Sequence, residues 1–204
     1  DAEEPFAALK FPDNYKIGFV YSMIVFGLDI EEFEYAYRLD GPYDEKKGLR
    51  FDKTKILLDP YARAVTGQSQ WGCKNNPQHS YRARVVQNNF DWGLERNEPI
   101  PMEDLVIYEL HVRGFTKSPS SGVSCPGTFK GLEEKIPYLK KLGINAVEPM
   151  PVFEFDEMRD ARLIDENELL DYWGYNPVCF FAPNTSYSSS IEYNREGMEL
   201  KRLI

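Results

Sequence analysis

The sequence predicts two kinds of structure in one chain: an antiparallel β portion resembling part of a β-sandwich, then an α/β portion with parallel strands. Three observations lead there. Apolar and polar residues alternate with turn signals through residues 1–63. A compact apolar strand, an amphipathic helix and a second apolar strand follow one another between Leu105 and Glu148. The stretch between them, residues 64–104, is richer in polar and turn-forming types and reads as a linker.

Within residues 1–63, Tyr15, Ile17, Phe19, Tyr21 and Met23 share one parity, the period-two signature of a strand running to Val25. Phe33, Tyr35 and Tyr37 alternate with Glu34, Ala36 and Arg38 in the same way. Asp40-Gly41-Pro42 is a turn signal, and Glu45-Lys46-Lys47-Gly48 reads as a solvated turn. Short strands so punctuated make a sandwich portion. In the linker, Lys74 to Gln78 is loop-like, and Pro99 and Pro101 bracket the boundary before the second domain, residues 105–204.

That domain opens with Leu105 to Val112, an apolar run read as a buried strand. Thr128 is placed to cap a helix running to Leu142, with Leu132, Ile136 and Leu139 on one face. Glu133 and Glu134 lie early and Lys140 and Lys141 late, as the helix dipole prefers, and Gly143 ends it. Pro137 inside the run predicts a kink or a late start. Ile144 to Glu148 is the next buried strand, and a helical crossover makes the two strands parallel. A long loop over residues 152–190 precedes a last helix, Ile191 to Ile204, that offers Met198, Leu200, Leu203 and Ile204 for burial.

Composition narrows the function. With 42% hydrophobic and 28% charged residues, the 204-residue chain is ordinary for a soluble globular protein. Its 14% aromatic content, with 13 Tyr and 13 Phe, supplies core and also flat platforms for sugar rings. A net charge of −9 argues against nucleic acid and anionic membrane as partners, because both call for clustered Lys and Arg. A neutral polymer is compatible with it. Cys73, Cys125 and Cys179 have no zinc spacing. An odd, sparse count fits a reducing compartment, so a cytoplasmic location and three buried thiols are expected. No metal constellation and no organic cofactor are implied.

Several stretches resemble isoamylase-type debranching enzymes of the α-amylase superfamily. The most distinctive is Tyr37-Arg38-Leu39-Asp40-Gly41-Pro42-Tyr43, followed by Arg50-Phe51-Asp52 and Leu58-Asp59-Pro60-Tyr61-Ala62. Val106 to Thr116 is similar to the family's first barrel strand. Pro126 to Phe129 and Leu142 to Glu148 match its first helix and second strand, and Tyr172-Trp173-Gly174-Tyr175-Asn176 its sugar-site loop. The resemblance spans nearly the whole chain in the family's order. It implies a multidomain β plus α/β fold: a partial N-terminal β-sandwich, related to glycogen-binding modules, followed by the first βα units of a (β/α)8 TIM barrel. A barrel needs about 250 residues, so residues 105–204 are read as its truncated opening. Pro149 departs from the family, which usually has Leu there, and is expected to remove a ladder donor from the second strand.

The resemblance implies hydrolysis of α-1,6 branch linkages in glycogen or starch by double displacement between two carboxylates. The family's nucleophile and acid follow later strands, so no catalytic residue is assigned here and the chain alone is expected to be inactive. A glucan-branching transferase and a non-catalytic glucan-binding fragment are the alternatives. Glu154, Asp156 and Glu157 are read as a solvated run of acids. Tyr175, by resemblance, stacks on the sugar being cleaved, with Trp173 and Asn176 as further substrate-binding residues. The partner implied is an α-glucan polysaccharide. His111 reads as a hydrogen-bonded core residue, and Glu109 and Glu148 as buried acids with Arg113 a candidate partner for Glu109. Trp71 and Trp92 read as packing residues.

Overall fold

The structure is a computed structural model that describes residues 5–66, 70–73, 81–87, 89–93 and 99–204. The loop expected at residues 74–78 lies outside them. The described strands form six small sheets, five of them two-stranded.

The first hairpin joins β1 (Lys16–Ile17) and β2 (Val20–Tyr21), with Ile17 opposite Val20. This corrects the single strand expected from Tyr15 to Val25: the chain reverses at Gly18 and Phe19, and Phe19 is left exposed. β3 (Glu34–Tyr35) carries the second alternating stretch, and Tyr37 bridges to Leu57 beyond it. β4 (Tyr43–Asp44) and β5 (Leu49–Arg50) pair around a short 3-10 turn at Glu45–Lys47, where a solvated turn was expected. β6 (Ala64–Thr66) and β7 (Arg82–Arg84) come from the polar middle stretch and join β3 in an antiparallel sheet ordered β3-β7-β6. Ala62, Val65, Ala83, Cys179 and Ala182 form a small core behind it. The Tyr35 hydroxyl donates to Asp59 at 2.7 Å beside that core.

The α/β portion begins with β8 (Ile107–Leu110), which pairs in parallel with β9 (Ala146–Pro149). The strand stops before Val112 because the chain bends into α1 (Val112–Thr116), whose first turn is capped by the His111 imidazole. α2 (Phe129–Glu133) starts at the Thr128 cap, whose hydroxyl accepts from the Gly131 N–H at 3.1 Å. α3 (Ile136–Lys141) starts afresh with Pro137 in its first turn, so the expected break falls at the proline. Gly143, at φ +86°, ends it. Leu110, Val112, Phe129, Leu132 and Leu139 pack together between the strands and helices with Phe155 and Tyr187.

Three expectations need correction. The two parallel strands are buried on one face only: Ile107 is 53% exposed, and Glu109 and Glu148 stand opposite each other on the exposed face. Arg113 instead lies over the Trp71 ring at 4.7 Å. Pro149 does not interrupt the ladder, because it is the last residue of β9 and the Met150 N–H donates to the Leu110 carbonyl at 2.8 Å. The long loop over 152–190 contains four strands: β10 (Phe153–Phe155), β11 (Arg162–Ile164), β12 (Asn167–Leu169) and β13 (Pro177–Pro183). β11 and β12 form a hairpin, and β10 pairs with β13 through two register shifts.

The last helix, α4 (Arg195–Leu203), begins later than expected. Leu200 and Leu203 reach the core, whereas Ile204 is exposed and the fully buried positions are Glu196, Gly197 and Glu199. Glu199 is satisfied by the backbone and hydroxyl of Ser189 and lies 3.7 Å from Arg195. Of the three free cysteines only Cys179 is fully buried; Cys73 and Cys125 are half-buried. No helix among the described residues is long and apolar enough to cross a membrane.

Candidate functional site

The C-terminal ends of β8 and β9 open onto a cleft of about 410 Å³ lined by Glu109, Leu110, His111, Met150, Trp173 and Tyr175. The strands supply its floor, and the stretch between β12 and β13 supplies its aromatic wall. Tyr175 is 65% and Trp173 62% exposed, so both rings keep most of their surface free.

The turn that carries them is fixed at Gly174, which is buried at φ +80°. A Cβ there would lie 2.4 Å from the Phe155 ring, so only glycine passes between the two exposed aromatics and the core. The Gly174 N–H donates to Asp171 at 3.3 Å, and the Asp171 N–H donates to the Glu157 carbonyl at 2.9 Å. Asn176 does not line the cleft: its amide donates to Asp160 at 3.3 Å, behind the turn. Of the three residues expected to bind substrate, the fold therefore brings Tyr175 and Trp173 together and turns Asn176 to loop structure.

Under the cleft lies an aromatic cluster. Trp71, from the middle stretch, stacks on Tyr187 at 6.0 Å and meets His111, Phe155 and Tyr172 edge-on. It is a packing residue, as expected; Trp92 meets Phe90 at 4.8 Å and stays more than half exposed. His111, only 8% exposed, stacks on Tyr172 at 4.0 Å. Burial lowers its pKa, the Tyr172 carbonyl opposes this, and Arg113 adds to it.

Of the three acids beyond β9 expected to be solvated, two are not, and Asp156 is half-buried. Glu154 and Glu157 are both fully buried. Burial raises the Glu154 pKa to about 8, against the pull of hydrogen bonds from Thr185 and with help from Glu157 and Glu196. One Glu154 oxygen accepts from the Thr185 N–H at 2.7 Å and the other has no partner. Glu157 accepts from the Gly72 N–H at 2.7 Å, tying the middle stretch to the loop; burial raises its pKa too. Neither carboxylate lines the cleft. The lining residues missed from sequence are Glu109, Leu110, His111 and Met150, whose signal was their position at or just past the end of a parallel strand.

A parallel βαβ unit with exposed aromatics over its C-terminal strand ends has the layout on which α/β enzymes build substrate clefts. No protein-family model matches the chain. It is 36% identical over 193 residues to isoamylase 1, chloroplastic, of Arabidopsis thaliana, covering 91% of this chain and 24% of that protein. Isoamylase 3, chloroplastic, of rice (Oryza sativa subsp. japonica) is 41% identical over 181 residues, covering 86% and 23%. Among solved structures, the catalytic module of a multi-modular glycogen-degrading pneumococcal virulence factor superposes with a TM-score of 0.60 at 27% identity, covering 86% of this chain and 26% of that one. Pullulanase type I from Bacillus subtilis, solved with maltose, gives 0.57 at 28% identity, covering 76% and 22%. The chain is thus similar to isoamylase-type debranching enzymes, and it spans about a quarter of the length of the curated relatives it matches.

Proposed function

We propose that the chain is the part of an α-1,6-debranching glycoside hydrolase that carries one wall of its glucan cleft. Residues 1–63 then belong to a partial β-sandwich to which the 64–104 stretch adds β6 and β7 before leading to the catalytic domain, and 105–204 open a (β/α)8 barrel. The observation that carries the reading is the pair of exposed rings, Tyr175 and Trp173, over the cleft at the ends of β8 and β9. The apolar face of a glucose unit packs on such a ring, while hydroxyls at the rim reach polar groups such as Glu109. The nucleophile and acid of the reaction are supplied by other strands, so this chain binds and orients glycogen or starch without cleaving it. The three free thiols suit a reducing compartment such as the cytoplasm.

The test is hydrolysis of a branched malto-oligosaccharide by a protein joining this chain to the remaining barrel strands. Tyr175→Ala loses the stacked area and lowers kcat/KM roughly ten- to a hundredfold. Tyr175→Phe keeps the ring and stays within a few-fold. Wild-type rates in the Ala variant would make Tyr175 a loop-packing residue, and transfer of branches without release of linear chains would assign a branching transferase.

A further inference from the structure

The aromatic wall sits on a turn that is held at Gly174 by Asp171 and Phe155, and at Tyr172 by the side chain of His111. His111 links β8 to α1 as its N-cap, and both of its ring nitrogens are engaged. Nδ1 lies 3.0 Å from the Gly114 N–H, which donates to it. A nitrogen that accepts carries no proton, so the ring's one proton sits on Nε2. Nε2 is 2.6 Å from the Tyr172 carbonyl, which only accepts, and 3.2 Å from the Tyr187 hydroxyl. The Tyr172 ring lies flat on the imidazole, 4.0 Å away and 8° from parallel. Its hydroxyl would lie 2.0 Å from a Cβ at residue 114, so the absent side chain of Gly114 makes the room that this stack needs.

From these contacts we propose that His111 is a positioning residue: its Nε2–H to the Tyr172 carbonyl and its stack under the Tyr172 ring fix where Trp173 and Tyr175 stand in the cleft. The inference rests on the glucan reading of that cleft for its consequence, but not for its geometry. Tyr172 is the last anchored residue before the exposed pair, and Gly174 is the next point held against the core. Without the carbonyl bond the turn keeps its anchors at Asp171 and Gly174, and Tyr172 between them loses its own. The aromatic wall then samples several placements, and a sugar binding to it must order it first. Around the imidazole, Trp71 and Tyr187 present ring edges and Arg113 covers the far side of Trp71, so the ring itself has nowhere to swing.

His111→Asn separates the two duties of the side chain. The Asn oxygen replaces Nδ1 and still caps α1 from the Gly114 N–H, while nothing replaces Nε2. In the 204-residue chain, 15N relaxation on Trp173–Asn176 should fall from rigid values, about 0.85 in order parameter, to below about 0.6, with Val112–Thr116 unchanged. Maltotriose, titrated as the probe, should bind about tenfold more weakly. Order parameters and maltotriose affinity both at wild-type level would overturn the assignment. If the turn loosens and the wild-type chain binds no maltotriose, the positioning role stands and the glucan reading falls. Should the Asn variant not fold, the imidazole 15N spectrum of the wild-type chain decides: a protonated Nε2 and bare Nδ1 at neutral pH support the role, and the opposite tautomer or an imidazolium refutes it.

Discussion

At the residue scale, the least legible feature was the burial of Glu154 and Glu157. A run of acids after a strand reads as solvated because ionised carboxylates are seldom buried without partners. Here the pairing of β10 with β13 buries Glu154 and the Gly72 N–H meets Glu157, contacts between residues far apart in sequence that composition does not reveal. The burial has a measurable consequence. Glu154 ordinarily titrates near 4.5 and is raised to about 8 in the fold. Below 4.5 both folded and unfolded chains hold the proton, and its contribution is fully present. Between 4.5 and 8 the unfolded chain releases a proton that the folded one keeps, so stability falls with rising pH, by up to about 1.4 kcal/mol per pH unit. Glu154→Gln, which keeps the shape and cannot ionise, should flatten that fall. The check is the difference in denaturant midpoint between variant and wild type, measured at several pH values across the window; a difference that does not grow with pH would refute it. Gly174 belongs to the same scale. Gly174→Ala meets both the Phe155 ring and a positive φ, and should cost about 1–3 kcal/mol in chemical unfolding.

At the scale of elements, local signals served well where the structure is local. The Thr128 cap, the break at Pro137 and the stop at Gly143 each rest on neighbouring residues, and each falls where the sequence puts it. Thr128→Ala should therefore cost about 1 kcal/mol by thermal or denaturant unfolding, since the hydroxyl is the acceptor for the Gly131 N–H; no loss would mean that packing alone holds α2. The β8–β9 pair was legible as a parallel βαβ unit because a capped amphipathic helix stands between two compact apolar runs. The strands after Met150 were not. β10 is three residues long, too short for alternation to register, and its partner β13 is joined to it through bulged register. The first hairpin failed for the opposite reason: period-two spacing marked one long strand, and a reversal at Gly18 divided it. Of the candidate site, Tyr175 and Trp173 were legible because a loop at the C-terminal end of parallel strands faces the cleft; Asn176 was not, since its distant partner Asp160 decides where it turns.

For the whole molecule, the exposed apolar surface of the parallel pair is the feature with the widest consequence. Ile107 is exposed on the face that carries Glu109 and Glu148, Val106 and Val147 are exposed on the other, and the first hairpin leaves Ile17, Phe19 and Val20 exposed as well. Apolar surface on this scale promotes association. The isolated chain should bind a hydrophobic dye and elute from size exclusion at a volume that depends on concentration, whereas a sharp monomer peak without dye binding would show that these faces are covered. The cleft lined by Trp173 and Tyr175 lies at the end of the same strand pair. Its central claim is therefore open to direct measurement: titration of the 204-residue chain with a branched malto-oligosaccharide, followed through tryptophan fluorescence, in wild type and in Tyr175→Ala. The account predicts saturable quenching from Trp173 that is lost or weakened roughly tenfold in the variant. Saturable binding of equal strength in both proteins, or none in either, would contradict it.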